Sequence, residues 1–231
     1  MPTTMFWRRT ILPNGLTVLL FPRPSANTTQ LSLAVEFGSN REPPENAGVA
    51  HFIEHMLAGG STKRIQLSRM IETSGGIFDF YTNHEHMMCT MDVLPEKVGE
   101  GSSVISELFF NSDFNESNFK QERKIILNEL AEALDDPAER IEELLLKSLF
   151  QEHPVKRPVG GYPNTLKKLT LNQLTSTHKA NYVPQNMVLI LAGNIDENTA
   201  EKVLKNFKDR SGHTKLPRKI YSVETGKPES L

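Results

Sequence analysis

Apolar positions recur at every second residue in "TQLSLAVEFGS" (29–39), where Leu31, Leu33, Val35 and Phe37 alternate with smaller or polar residues. That period predicts a half-buried strand. Upstream, "TILPNGLTVLLF" sets Asn14-Gly15 between two apolar, β-branched runs, a strong hairpin signal. From Val49 the period lengthens to that of a helix and runs to the Gly59-Gly60 stop. A second amphipathic helix is predicted over 64–74, closed by Gly75-Gly76, with strands over 77–82 and 84–93. Helices follow at about 95–110 and 116–134, then one opened by Asp136-Pro137 and running through "AERIEELLLKSLF". The Pro/Gly-rich stretch 151–165 is too long for a simple connection, and such loops are often functional. A helix (171–181), a strand (186–193) and a helix (197–209) complete the pattern.

Hairpins mixed with helices predict an α+β class, a mainly antiparallel β-sheet packed against helices. One domain is expected over 1–210, with 211–231 as a polar linker or C-terminal tail. The chain of 231 residues is long enough to bury a substantial core, and 38% hydrophobic with 23% charged residues is ordinary for a globular protein. A formal charge of −2 gives no reason to expect nucleic acid or an anionic membrane as partner. Cys89 is the only cysteine, so no intrachain disulfide can form, which fits a reducing compartment. The N-terminus lacks the regions of a signal peptide, and no run of 18 apolar residues occurs. The expected location is cytoplasmic; a mitochondrial matrix protein after presequence removal would read the same way.

The candidate chemistry lies in "HFIEHMLAGG" (51–60). On a helix, His51, Glu54 and His55 share one face, since positions i, i+3 and i+4 are neighbours. Two imidazoles one turn apart can grip one metal ion, and neutral nitrogen donors suit zinc. Glu54 then stands where a base could take a proton from a water that the metal activates. The H-x-x-E-H order arises by chance about once in fifty chains of this composition, so the motif alone is not decisive. A catalytic zinc needs a third protein ligand, and "QERKIILNELAEAL" offers a ladder of acids. Glu122 and Glu129 lie two turns apart on one face with Glu132 near it; spacing alone leaves a solvated stripe equally open. A second cluster, "NHEHMMC", places His84 and His86 on one face of a predicted strand and Cys89 on the other.

Taken together, these segments resemble the pitrilysin family of zinc peptidases, which includes insulin-degrading enzyme and mitochondrial processing peptidase. The resemblance is carried by "LPNGLTVLL", "FGSNREPPENAGVAHFIEHMLAGGS", "GGIFDFYTNHEHMMCTMDV", "ERKIILNELAEALDDP", "EHPVKRPVGGYPNTLKKLT" and "NYVPQNMVLILAGNID", in that order. It implies that His51, His55 and Glu129 bind one zinc ion, that Glu54 is the general base, and that Glu122 is an acid supporting the site. It also implies that "NHEHMMC" belongs to a hairpin along which substrate backbone is held as an added strand, with Asp79, Phe80 and Tyr81 lining that edge. Two stretches depart from the family: "AGGS" (58–61) replaces a common Phe-Lys-Gly-Thr, and Asp79-Phe80 a common Asn-Ala.

Members usually carry at least two homologous domains of this size, the second supplying an Arg and a Tyr to the site. The expectation is a catalytic half, either a half-length subunit or an excised piece, acting on short or unfolded peptides with a second homologous domain or subunit, as a homo- or heterodimer. The alternative is a zinc-binding but inactive partner subunit of a peptidase complex.

Overall fold

A computed structural model describes residues 7–59 and 62–210. The expected linker or tail at 211–231 lies outside the described residues, as does Gly60 of the predicted helix stop. The chain forms strands β1 (Arg8–Ile11), β2 (Thr17–Pro22) and β3 (Thr29–Val35), then helices α1 (Val49–Ala58) and α2 (Thr62–Glu72). Strands β4 (Ile77–Thr82) and β5 (Met87–Val93) follow, then helices α3 (Val98–Phe110), α4 (Glu116–Asp135) and α5 (Pro137–Leu149). Helices α6 (Pro163–Lys168) and α7 (Leu171–Asn181), strand β6 (Met187–Gly193) and helix α8 (Glu197–Lys208) complete it.

The six strands form one sheet in the order β1-β2-β6-β3-β5-β4. Every neighbouring pair is antiparallel except β2 and β6, which run parallel. The α+β class with a mainly antiparallel sheet is therefore what the chain adopts. Alternation makes the sheet one-sided: Leu31, Leu33, Val35, Met87, Cys89, Met91, Leu189 and Leu191 are fully buried against the helices. Between them, Gln30, Ala34, Met88, Thr90, Val188 and Ile190 on the other face are only half-buried.

Two expected elements came out shorter. The strand begun at Thr29 stops at Val35, because Phe37 N–H turns back onto the Val35 carbonyl and a 3₁₀ turn follows at Ser39–Arg41. The strand expected from 84 starts at Met87: Asn83 Oδ1 accepts the Glu85 and His86 N–H groups and forms a turn across 83–86. The long loop holds a 3₁₀ turn at Pro154–Lys156 and the start of α6.

At the other end of the sheet, the predicted Asn14-Gly15 hairpin is present. Asn14 Nδ2 donates to the carbonyls of Phe207 and Arg210, 2.7 and 2.9 Å away, so the hairpin turn satisfies orphan acceptors at the C-terminus of α8. Between α3 and α7 lies a ring cluster: His178 stands 4.4 Å from Tyr182 and 4.9 Å from Phe114.

Burial pushes His178 down from 6.5 to about 4, with Lys179 adding to the shift and a bond with the Phe109 backbone opposing it. A histidine held neutral in the folded state gives up stability only when protons force it to charge. Its contribution is intact above pH 6.5 and is lost as pH falls toward 4, up to about 3 kcal/mol in that window. Denaturant titrations at the two pH values should show a smaller acid loss in His178→Phe than in the wild type; equal losses would remove His178 from the acid response.

Candidate metal centre

Helix α1 is amphipathic in the way its spacing predicts. Val49, Ala50, Phe52, Ile53, Met56 and Leu57 are buried, while His51, Glu54 and His55 occupy the remaining, half-buried edge. Helix α4 crosses this helix, with Phe119 stacked on Phe52 at a centroid distance of 4.8 Å. On α4, Phe119, Glu122 and Ile126 are buried, so the stripe containing Glu122 faces the protein and does not face water. The crossing brings the acids to the histidines. His55 Nδ1 lies 3.3 Å from Glu122 Oε2, and His55 Nε2 lies 3.2 Å from Glu129 Oε2.

One ligand atom from each of His51, His55 and Glu129 falls within a 4.8 Å cluster, a grouping able to hold one metal ion. It is the only such group of histidine, cysteine and acidic side chains among the described residues. Glu132, which spacing left open beside Glu129, is exposed and takes no part. The "NHEHMMC" cluster does not assemble. His84 and His86 sit in the turn instead of on a strand, and His84 Nδ1 is 2.9 Å from the Ser39 hydroxyl. Cys89 is buried in the core, where burial drives its thiol far above the ordinary value.

Electrostatics divide the two histidines. Burial, with His55 adding to it, pushes His51 down to about 4, so its ring is neutral and keeps a lone pair to donate. For His55, burial works downward, but the bond to Glu122 and the charges of Glu129 and Glu54 prevail and raise it. Glu54 is raised by burial and by Asp79 and Glu129, against the Thr82 hydroxyl and His55. One of its oxygens, Oε2, is buried without a hydrogen-bond partner, as is Nδ1 of His51. Buried polar atoms of that kind call for a ligand or water. Gly59 completes the packing: a Cβ there would lie 2.4 Å from Glu122 Oε1.

The three residues expected along the substrate edge separate. Strand β4 is one of the two edge strands of the sheet, paired only with β5. Asp79 and Tyr81 are exposed, but Phe80 is 9% exposed and stacks on Phe109, its ring turned into the core. At that edge Phe80 offers only its backbone, and its N–H donates to Asp79 Oδ1 at 2.9 Å. The sequence reading missed Thr82, at the end of β4, and Glu42, whose carboxylate is buried beside the start of α1. A clue existed for the second: α1 opens after Gly48, with no Ser, Thr, Asp or Asn to cap it.

Truncating Glu122 removes the acceptor that orients His55. Glu122→Ala is expected to weaken zinc binding about 10- to 100-fold, and Glu132→Ala to leave it unchanged. Competition with a chromophoric chelator measures both; equal effects of the two variants would detach Glu122 from the site.

Comparison with known proteins places the chain in a family. The family described as Insulinase (Peptidase family M16) matches residues 17–163, and the Peptidase M16 inactive domain matches residues 168–230. An uncharacterized zinc protease of Rickettsia felis is 31% identical over 90% of this chain and 52% of its own length. A protein of Arabidopsis thaliana named as a probable mitochondrial-processing peptidase subunit beta is 33% identical, over 87% of this chain and 38% of its own. The chain thus spans about half the length of the curated relatives it matches, or less. The periplasmic protease PqqL of Escherichia coli, 22% identical, shares the fold with a TM-score of 0.86, over 97% of this chain and 26% of that one. With a family match covering most of the chain, relatives named zinc proteases and a shared fold, this protein belongs to peptidase family M16, the insulinase or pitrilysin type, and carries its N-terminal domain.

Proposed function

We propose that this chain is the catalytic half of a zinc-dependent endopeptidase, with residues 1–210 as the peptidase domain. The observation that carries the reading is the convergence of His51, His55 and Glu129 within 4.8 Å, with a buried, unpartnered Glu54 oxygen on the same helix face. Two neutral-capable imidazoles and one carboxylate are a donor set that suits zinc and leaves a fourth position open. Zinc, when bound, supplies Lewis acidity, making water acidic near neutral pH and polarising a peptide carbonyl.

The remaining steps belong to the chain's own side chains. Glu54 takes the proton of the attacking water and returns it to the leaving amine. Glu122 holds His55 by its Nδ1, so that Nε2 stays directed at the site. The open edge of β4 accepts an extended peptide as an added strand, through backbone groups of Asp79, Phe80 and Tyr81. Short or unfolded peptides suit that mode, since a folded segment cannot present a free strand.

The second part of the proposal is a partner. Because the chain spans about half the length of its relatives, a homologous second domain or subunit would complete the substrate chamber, as a homo- or heterodimer. No described helix is long and apolar enough to cross a membrane. The single cysteine fits a reducing compartment, and the reading places the protein in the cytoplasm, with the mitochondrial matrix as the alternative.

Glu54→Gln is expected to keep zinc at the wild-type level and to lose at least about 100-fold in turnover, the scale of general acid–base catalysis. Elemental analysis alongside cleavage of a quenched-fluorescent peptide library, with and without the C-terminal half of a relative, checks both parts. Zinc without cleavage in any pairing would favour an inactive partner subunit, and near-normal turnover in Glu54→Gln would overturn the role of Glu54.

A further inference from the structure

Two acids are fully buried among the described residues, and only Glu122 touches the candidate metal centre. The other, Glu42, is 2% exposed and lies upstream of α1. Its Oε2 accepts the Gly48 N–H at 2.8 Å and its Oε1 accepts the Ala50 N–H at 2.7 Å. The first amides of a helix have no partner within the helix, and a side-chain oxygen at the residue before it normally supplies one. Gly48, at φ 96°, has no side chain to do so. Any residue larger than glycine is also excluded there, since a Cβ would lie 2.5 Å from the Gly160 carbonyl oxygen.

We propose that Glu42 is a positioning residue for the metal centre, holding the first turn of α1, and with it His51, by capping that helix from six and eight residues upstream. The inference rests on the catalytic reading above. Ala50, one of the two bonded amides, is the residue before His51 in the chain. A negative charge at this end of a helix is also favoured by the helix dipole.

The surroundings of Glu42 fit a clamp better than a chance contact. Arg157 Nη2 donates to the carbonyls of Ser39 and Glu42, each at 3.1 Å, fixing the backbone that carries the carboxylate. Thr165 Oγ1 donates to the Ala47 carbonyl at 2.6 Å. Gly161 packs so closely that a Cβ would stand 2.2 Å from the Ala47 oxygen. A Cβ on neighbouring Gly160 would come within 3.7 Å of His51 Nδ1. One end of α1 is therefore held by the 157–165 loop and by Glu42 together. Burial raises Glu42 to about 7 despite both amides and Arg157, so the group is costly to bury; a role at this position accounts for keeping it. Displacements on the order of 1 Å at a metal or catalytic site are enough to matter.

A merely structural acid would cost stability and leave the metal geometry alone. Cobalt(II) separates the two, because its visible absorption reports on the ligand arrangement. The comparison sets wild type against Glu42→Ala, Glu42→Gln and Val203→Ala, the last a core truncation on α8 with no part in the site. Glu42→Ala should bind cobalt about tenfold more weakly with an altered band shape. Glu42→Gln, which keeps one acceptor oxygen, should fall between it and wild type. Val203→Ala should lose stability with spectrum and affinity unchanged. If Glu42→Ala does not fold, Glu42→Gln carries the comparison. Wild-type spectra and affinities in both Glu42 variants, or an equal change in Val203→Ala, would overturn the inference while leaving the catalytic reading in place. Failure of the wild type to bind cobalt would overturn both.

Discussion

The crossing of α1 over α4 is the contact on which the candidate site depends. Phe52 stacks on Phe119, and the buried side of α1 is fixed against the sheet, so neither helix can rotate about its axis without breaking core packing. Rotation is the motion that would separate the site's side chains, because His51 and His55 ride on one helix and Glu122 and Glu129 on the other. Close packing thus converts a hydrophobic contact into a distance between polar atoms. The 3.2 and 3.3 Å contacts of His55 with its two acids follow from it.

Electrostatics then act on a geometry already set. Three acidic side chains, Glu54, Glu122 and Glu129, gather around His51, which burial pushes down to about 4, and His55, which these acids raise. Acids crowded into a partly dry site are costly to keep charged without a cation beside them, and the cluster is of a kind able to hold a divalent ion. Glu42 stands outside this group, at the N-terminus of the same helix, where the opposing partial charge is that of backbone amides. The site and its capping acid are two separate solutions to burying carboxylates.

The fold places an edge strand and the candidate chemistry side by side. β4 forms one edge of the sheet and packs near α1, and Thr82 at its end acts on the Glu54 carboxylate. A strand added to that edge would run past the face that carries Glu54. The sheet leaves its other face half-exposed, so the helices and the candidate metal centre all lie on one side of the molecule.

Much of this was written in local pattern. The period of two in 29–35, the period of 3.6 in 49–58, and the one-turn spacing of His51 and His55 are local properties, and local sterics determine them. The resemblance to known peptidases rested on the same segments, and it selected Glu129 where spacing alone left Glu132 open. What tertiary structure decided is everything that joins residues distant in the chain. β6 enters between β2 and β3, parallel to the first and antiparallel to the second, although it is the last strand in sequence. The family matches meet at residues 163–168, so the later one includes a strand at the centre of the sheet. Phe80 turns inward because register with Cys89 puts it on the buried face, a fact no spacing within β4 reveals. Glu42 looked like one more polar residue in a turn-rich loop. Its burial against Gly48 and Ala50 arises only when the 157–165 loop folds over the start of α1. Periodicity reports which face of an element is apolar; only packing decides what that face meets.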